Sequence, residues 1–184
     1  MTEISRGFRA QRDTPGTIAH PRAHREAVQD NLGKPPMPST YLSLHYHIIF
    51  STKNREPLIA TGWRNRLHEY MGGTVRSLQG IPQTIGGVDD HVHLLLGLKA
   101  THCLSDFMRD LKKRTSLWVH ETIRDPRFAW QDGYAAFSIS APSRGAIVTY
   151  ITNQEEHHRT MTFREELVKF LKRAAVEYDE KYLD

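Results

Sequence analysis

The segment Asp89 to Leu98, "DDHVHLLLGL", constrains the fold of this chain more than any other. Val92, Leu94, Leu95, Leu96 and Leu98 read as a buried strand, so the chain has to place this run inside a sheet covered by other elements. Two histidines interrupt the run. Residues two apart on a strand project to the same face, so His91 and His93 stand side by side, close enough for a metal ion to bridge them. The plainer alternative is that each imidazole is a satisfied polar group at a strand start. For an isolated H-x-H that alternative is the better one, and the rest of the chain has to decide between them.

The pattern around this strand is alternating. "YLSLHYHIIFST" (41–52) is rich in aromatic and β-branched residues with period two, which predicts a strand. A helix follows from Thr61 to about Gln79, weakened by Gly72-Gly73. "IPQTIGGVDD" predicts a strand that pairs antiparallel with "HVHLLLGL", because the connection between them is short. Leu104, Phe107, Met108, Leu111, Thr115 and Trp118 recur at helical spacing and predict a helix from about Leu104 to Ile123. "RFAWQDGYAAFSIS" is a further strand region with a turn or bulge at Asp132-Gly133. Helices are then expected over about Ala146 to Arg159 and Phe163 to Tyr178. Strands interleaved with helices, with one hairpin, point to an α+β sandwich of the ferredoxin-like or RRM-like type, an antiparallel sheet covered by helices.

Residues 1–39 differ from the rest. They hold five of the nine prolines and carry six Lys/Arg against four Asp/Glu, with no sustained apolar period. They are expected to form a flexible basic arm ahead of a folded domain over residues 40–184. No apolar run approaches the roughly 20 residues that span a membrane, and the N-terminus lacks the apolar core of a secretory signal. Cys103 is the only cysteine, which excludes an internal disulfide and a cysteine-based zinc site and suits a reducing cytoplasm. A net charge of +4 favours a polyanionic partner only weakly.

The segment "GAIVTYITNQEEHHRT" carries the second half of the chemistry. Its expected core-facing stripe is Ile147, Tyr150, Ile151, Gln154 and His158, which starts apolar and turns polar. Buried amides and imidazoles need partners, so the later turns are expected to face a site. Two imidazoles and an amide oxygen can hold a divalent metal with open positions, and a tyrosine hydroxyl one helical turn away can attack a phosphodiester. A free tyrosine, with a pKa of about 10, is ionised to only about one part in a thousand at pH 7. It therefore needs activation, or a metal and a good leaving group.

"DHVHLLL" followed by "YITNQEEHH" resembles the HUH single-tyrosine transposases, the insertion-sequence 200/605 group. "YHIIFSTKNREP", "FMRDLKKRTS" and "WQDGYAAFSIS" are similar to the family too, and the resemblance extends over roughly Leu42 to Glu166. It implies that His91, His93 and Gln154 bind Mg²⁺ or Mn²⁺, and that Tyr150 cleaves and rejoins single-stranded DNA at hairpin-bearing ends through a 5′-phosphotyrosine. It also implies a homodimer that shares its active sites. The punctuated segment "SAPSRG" (140–145) ahead of the tyrosine helix suits a helix that moves between two sites.

His157 or His158 competes with Gln154 for the metal in this reading. His45 and His47 form a second H-x-H, expected to be sheet or DNA-facing residues. Lys53, Arg55, Lys112, Lys113 and Arg114 are the candidate phosphate contacts. Two other functions compete: a non-mobile relative that binds or nicks repeated palindromes, and a metal-dependent hydrolase that uses water in place of Tyr150.

Overall fold

The structure, a computed structural model, describes residues 41–183. The arm expected over residues 1–39 lies outside them. Within them the chain runs β1 (His45–Ser51), α1 (Thr61–Ser77), β2 (Ile81–Gly87), β3 (His91–Gly97), α2 (Leu104–Trp118), β4 (Ala135–Ser138), α3 (Arg144–Thr152), α4 (Gln154–His157) and α5 (Phe163–Arg173). The strands form one sheet in the order β2–β3–β1–β4, every pair antiparallel. This is the ferredoxin-like α+β arrangement that the sequence pattern predicts.

Period two decides where everything sits. Ile48 and Phe50 of β1 and Val92, Leu94 and Leu96 of β3 point to one face of the sheet. There they pack with Leu67, Met71 and Val75 of α1 and Phe107, Met108 and Leu111 of α2 to make the main core. Each large aliphatic or aromatic side chain removed from water contributes roughly 1.5–3 kcal/mol, so this layer dominates stability. The alternate residues His47, Ile49, His91 and His93 point the other way. That face is covered by the last three helices and has a smaller core of Ile49, Phe137, Phe163, Leu171 and Leu183. Both histidines of the H-x-H are fully buried there.

Several boundaries differ from the sequence expectation. The first strand begins at His45, and Tyr41, at its expected start, is 91% exposed. The strand region after Phe128 shrinks to a single bridge, Thr52 to Trp130, and the four residues of β4. The expected helix over 146–159 breaks at Asn153, whose φ of −100° and ψ of 23° separate α3 from α4. Helix α5 ends at Arg173 and not at Tyr178. Ala175, at φ 51°, takes the left-handed position that closes it, with Val176 N–H donating to the Leu171 carbonyl at 3.0 Å. Tyr70 stacks on Trp118 at 5.0 Å.

Helix α3 docks directly on β2 at one point. A Cβ added to Gly86 would lie 2.4 Å from the Ile151 carbonyl oxygen and 2.9 Å from Ile151 Cγ2. Only glycine lets the two backbones approach so closely. Gly86→Ala is therefore expected to lift α3 from the sheet at a cost of about 1–3 kcal/mol. It should lower Tm and raise hydrogen exchange across residues 144–152 while leaving exchange in α1 and α2 unchanged. A variant with wild-type Tm and exchange would show that α3 is not seated by this contact.

Candidate active site and metal centre

The turn before β3 aims His91. Asp90 and Asp89 offer their carbonyls to the backbone N–H groups of Thr52 and Ile59, both at 2.8 Å, which pins the turn to the chain after β1. The Asp90 carboxylate then accepts from His91 Nδ1 at 2.6 Å and from Arg55 Nη2 at 3.2 Å. Burial opposes ionisation of Asp90, but His91 and Arg55 outweigh it and hold the carboxyl below its usual range. With Nδ1 donating to a carboxylate, His91 presents the lone pair of Nε2 on its other side.

His93 is set by a different partner. Its Nδ1 lies 3.0 Å from His47 Nε2, and the two rings stack at 5.2 Å. If His93 is to offer Nε2 as a ligand, its proton sits on Nδ1 and is donated to His47. The His47 proton then sits on Nδ1, a buried atom without a hydrogen-bond partner. Burial lowers His47 to about 4, and burial together with His91 and its other histidine neighbours lowers His93 well below the ordinary range. Both are therefore held neutral, the form in which imidazole binds metal.

The other wall of the cluster comes from α4 and α5. Glu166 Oε2 lies 3.4 Å from His93 Nε2, 3.8 Å from His91 Nε2 and 3.4 Å from His158 Nε2. One ligand atom from each of His91, His93, His158 and Glu166 falls within 4.8 Å of the others. Gln154, 1% exposed, donates from Nε2 to Glu166 Oε1 at 3.3 Å. The atoms left over form a set: Nε2 of His91, His93 and His158, Oε1 of Gln154 and Oε2 of Glu166 are all buried without a hydrogen-bond partner. Each such orphan costs about 1–3 kcal/mol, and those of His91, His93, His158 and Glu166 face one another across a few ångströms, so they form a site built for a bound partner. Nitrogen lone pairs with carboxylate and amide oxygens suit a divalent cation. Burial, with the charge of Asp90, pushes the Glu166 carboxyl up to about 8, and a cation among these ligands would favour its ionised form.

Sequence reasoning missed Glu166. Its signal was present: Glu166 falls between Phe163 and Phe170 on the stripe that α5 buries, where an acid has no business unless something pairs with it. The expected rivals to Gln154 lie close as well. Burial lowers His158 to about 4, and His157 Nε2 is 3.8 Å from Glu166 Oε1.

Tyr150 stands beside this cluster in the same chain. Its ring centroid lies 4.9 Å from that of His157, 5.5 Å from Phe170, 5.9 Å from His93 and 6.1 Å from His47. Its hydroxyl is buried and has no hydrogen-bond partner. Tyr150 and Gln154 thus reach the same site from two separate helices and not from successive turns of one.

The basic candidates divide. Arg55 is bound to Asp90 and lies 4.9 Å over the Phe163 ring, so it braces the site. Lys112 donates to the carbonyls of Gln131, Asp132 and Gly133 at 2.9, 3.2 and 2.5 Å, and burial lowers it to about 8. It caps the turn at Asp132-Gly133. Arg114 donates to Ser77 Oγ at 3.0 Å. These two and the exposed Lys113 ride on α2, across the sheet from the histidines, whereas Lys53 is exposed in the turn after β1. His45 meets Ser43 and, at 3.4 Å, Arg144.

No curated protein matches the chain. Two solved structures share the fold. One is a candidate transposase from Deinococcus radiodurans R1, 23% identical, with a TM-score of 0.50 over 64% of this chain and 96% of that one. The other is a REP-associated tyrosine transposase bound to a REP hairpin, 16% identical, with a TM-score of 0.50 over 65% of this chain and 74% of that one. The family model described as "Transposase IS200 like" matches residues 40–154, a span that holds the histidine pair, Tyr150 and Gln154. The chain therefore belongs to the IS200-like transposase family.

Proposed function

We propose that this transposase cleaves and rejoins single-stranded DNA through a covalent bond between Tyr150 and a 5′ phosphate. The observation that carries the reading is the unpartnered Tyr150 hydroxyl beside a buried cluster of metal-type ligands. The Tyr150 hydroxyl releases its proton as its oxygen attacks phosphorus, the bond from phosphorus to the 3′ oxygen breaks, and the 3′ oxygen leaves and takes up a proton. The ester keeps the bond energy, so a later 3′ hydroxyl can reverse the step without ATP. His91 and His93 would hold Mn²⁺ or Mg²⁺ together with Glu166 and with His158 or Gln154. Such an ion supplies Lewis-acid polarisation of the phosphodiester. Imidazole ligands favour Mn²⁺ over Mg²⁺. Asp90 and His47 orient the two imidazoles and keep their Nε2 lone pairs free.

The DNA is a hairpin with unpaired flanks. The hairpin bound by the REP-associated structural neighbour supports this, as does the net charge of +4. Two copies of the chain act together, with each α3 able to serve its own site or its partner's. In this structure Tyr150 packs beside His93 of its own chain, so sharing requires α3 to leave Gly86. The folded unit over residues 40–184 carries this chemistry, and the basic arm over 1–39 is an accessory to it. Lys53 and Lys113 remain free to meet phosphates.

Three outcomes are expected. Incubated with Mn²⁺ and hairpin-forming single strands from the DNA flanking the gene, the protein becomes linked to a 5′ phosphate and releases a 3′ hydroxyl. Tyr150→Phe abolishes the adduct on denaturing gels but keeps hairpin binding. An adduct that persists in that variant assigns the chemistry to another group, and strand cleavage without any adduct in the wild type assigns it to water.

Electron paramagnetic titration of Mn²⁺ reads the ligands directly. Glu166→Gln and His93→Ala should each weaken the ion by about tenfold or more, and His47→Ala, which removes only the partner of a ligand, by about tenfold to a hundredfold. Unchanged affinity in Glu166→Gln removes the carboxylate from the shell.

Sharing of sites is tested by mixing Tyr150→Phe subunits with His91→Ala subunits. If α3 crosses between copies, each mixed dimer regains one complete site and cleaves, while either variant alone stays inactive. No recovery after verified mixing confines each site to one chain.

A further inference from the structure

A cavity of about 300 Å³ opens against Tyr150, between α3 and α5. Its walls include Ile147, Met161 and Phe170, and Tyr150, His157 and Glu166 connect it to the metal-type cluster. Lys169 and Arg173 stand on its rim, both exposed. The Lys169 ammonium rests on the Met161 sulfur at 3.5 Å, a weak acceptor that a phosphate oxygen would displace.

We propose that this cavity takes one unstacked DNA base, that of a nucleotide adjoining the phosphate that Tyr150 attacks. The proposal rests on the single-strand cleavage proposed above and adds a subsite to it. Three features select the occupant. The cavity is small, at the low end of ligand pockets, and suits one flat ring system better than a base pair. Its aromatic members already group around Tyr150, with Phe170 at 5.5 Å and His157 at 4.9 Å between ring centroids, and base faces stack on such rings whatever the sequence. Its rim is cationic, as a ligand with a phosphate on either side requires. A base seated there fixes the strand within a side chain's length of the tyrosine oxygen, so an extended single strand is engaged and a stacked duplex is not. The cavity thereby selects unpaired over paired DNA at the cleavage point. Pairing elsewhere in the hairpin has no bearing on it.

Photocrosslinking tests this. Tyr150→Phe protein with Mn²⁺ is bound to the hairpin-forming single strands that flank the gene, with thymines replaced one at a time by 5-iodouracil, then irradiated and mapped by mass spectrometry. The expected result is one nucleotide, next to the position cut by the wild type, that crosslinks to Phe170, His157 or Met161. Adding Ala146→Trp, which places an indole from an exposed site into the mouth of the cavity, should lower that crosslink by about tenfold. Crosslinks to the rest of the strand and Mn²⁺ binding should persist. Lys169→Gln with Arg173→Gln should lower the same crosslink and flatten its salt dependence. Strands that bind but crosslink only outside the cavity, or a crosslink indifferent to Ala146→Trp, overturn the subsite and leave the proposed cleavage standing. Failure of every strand to bind overturns both.

Discussion

A strand buried on both faces must show each face a different chemistry, and β3 does this with a single alternation. Its even-numbered residues complete an apolar layer with α1 and α2, and its odd-numbered residues supply the two imidazoles. The apolar side stabilises the strand strongly enough to hold two polar groups, fully removed from water, on the other. Everything on the histidine side depends on that rigidity. The Asp90 carboxylate, the His47 ring and the acid of α5 can all be aimed because β3 cannot shift without opening the core behind it.

The histidine side is correspondingly costly. Nitrogen and oxygen atoms that would each be hydrated in an unfolded chain are gathered where water does not reach them, and burial keeps His93 and His47 uncharged and the Glu166 acid protonated. An ion that binds only the folded chain returns part of that cost through linkage. The same atoms that make the free protein less stable than its core would allow are thus those that would give a divalent cation its affinity.

Much of this was legible in the residues and some was not. Element order, the hairpin carrying H-x-H and the antiparallel sheet follow from alternation and helical spacing, which are local. Glu166 was missed because its meaning depends on a partner seventy-odd residues earlier in the chain. Periodicity registers a stripe, and one acid in a stripe is easily assigned to its edge. Lys112 and Arg55 were candidate phosphate contacts only because the chain resembles a DNA-processing family, since a cation in a loop or on a helix face otherwise reads as solvated. The structure gives Lys112 three carbonyls and gives Arg55 the carboxylate that orients His91. The helix over 146–159 carried no proline or glycine to mark its interruption, so nothing local announced it.

That interruption separates two mechanical duties. Helix α4 is tied down on both sides of the break's far end: Glu155 accepts from Arg64 of α1 at 2.6 Å, and Gln154 reaches Glu166. Helix α3 meets the sheet by close approach at Gly86 and by ring contacts of Tyr150 with His93 and His47; among the described residues it has no ion pair to α1 like that of α4, and it follows the turn Ala141–Ser143. A pivot at Asn153 would therefore swing Tyr150 like the arm of a crank whose bearing stays bolted to the frame. Under the proposed chemistry, the metal-type ligands would keep their places while the tyrosine carried its cargo away, so strand exchange would not require that centre to be taken apart and rebuilt at each turnover.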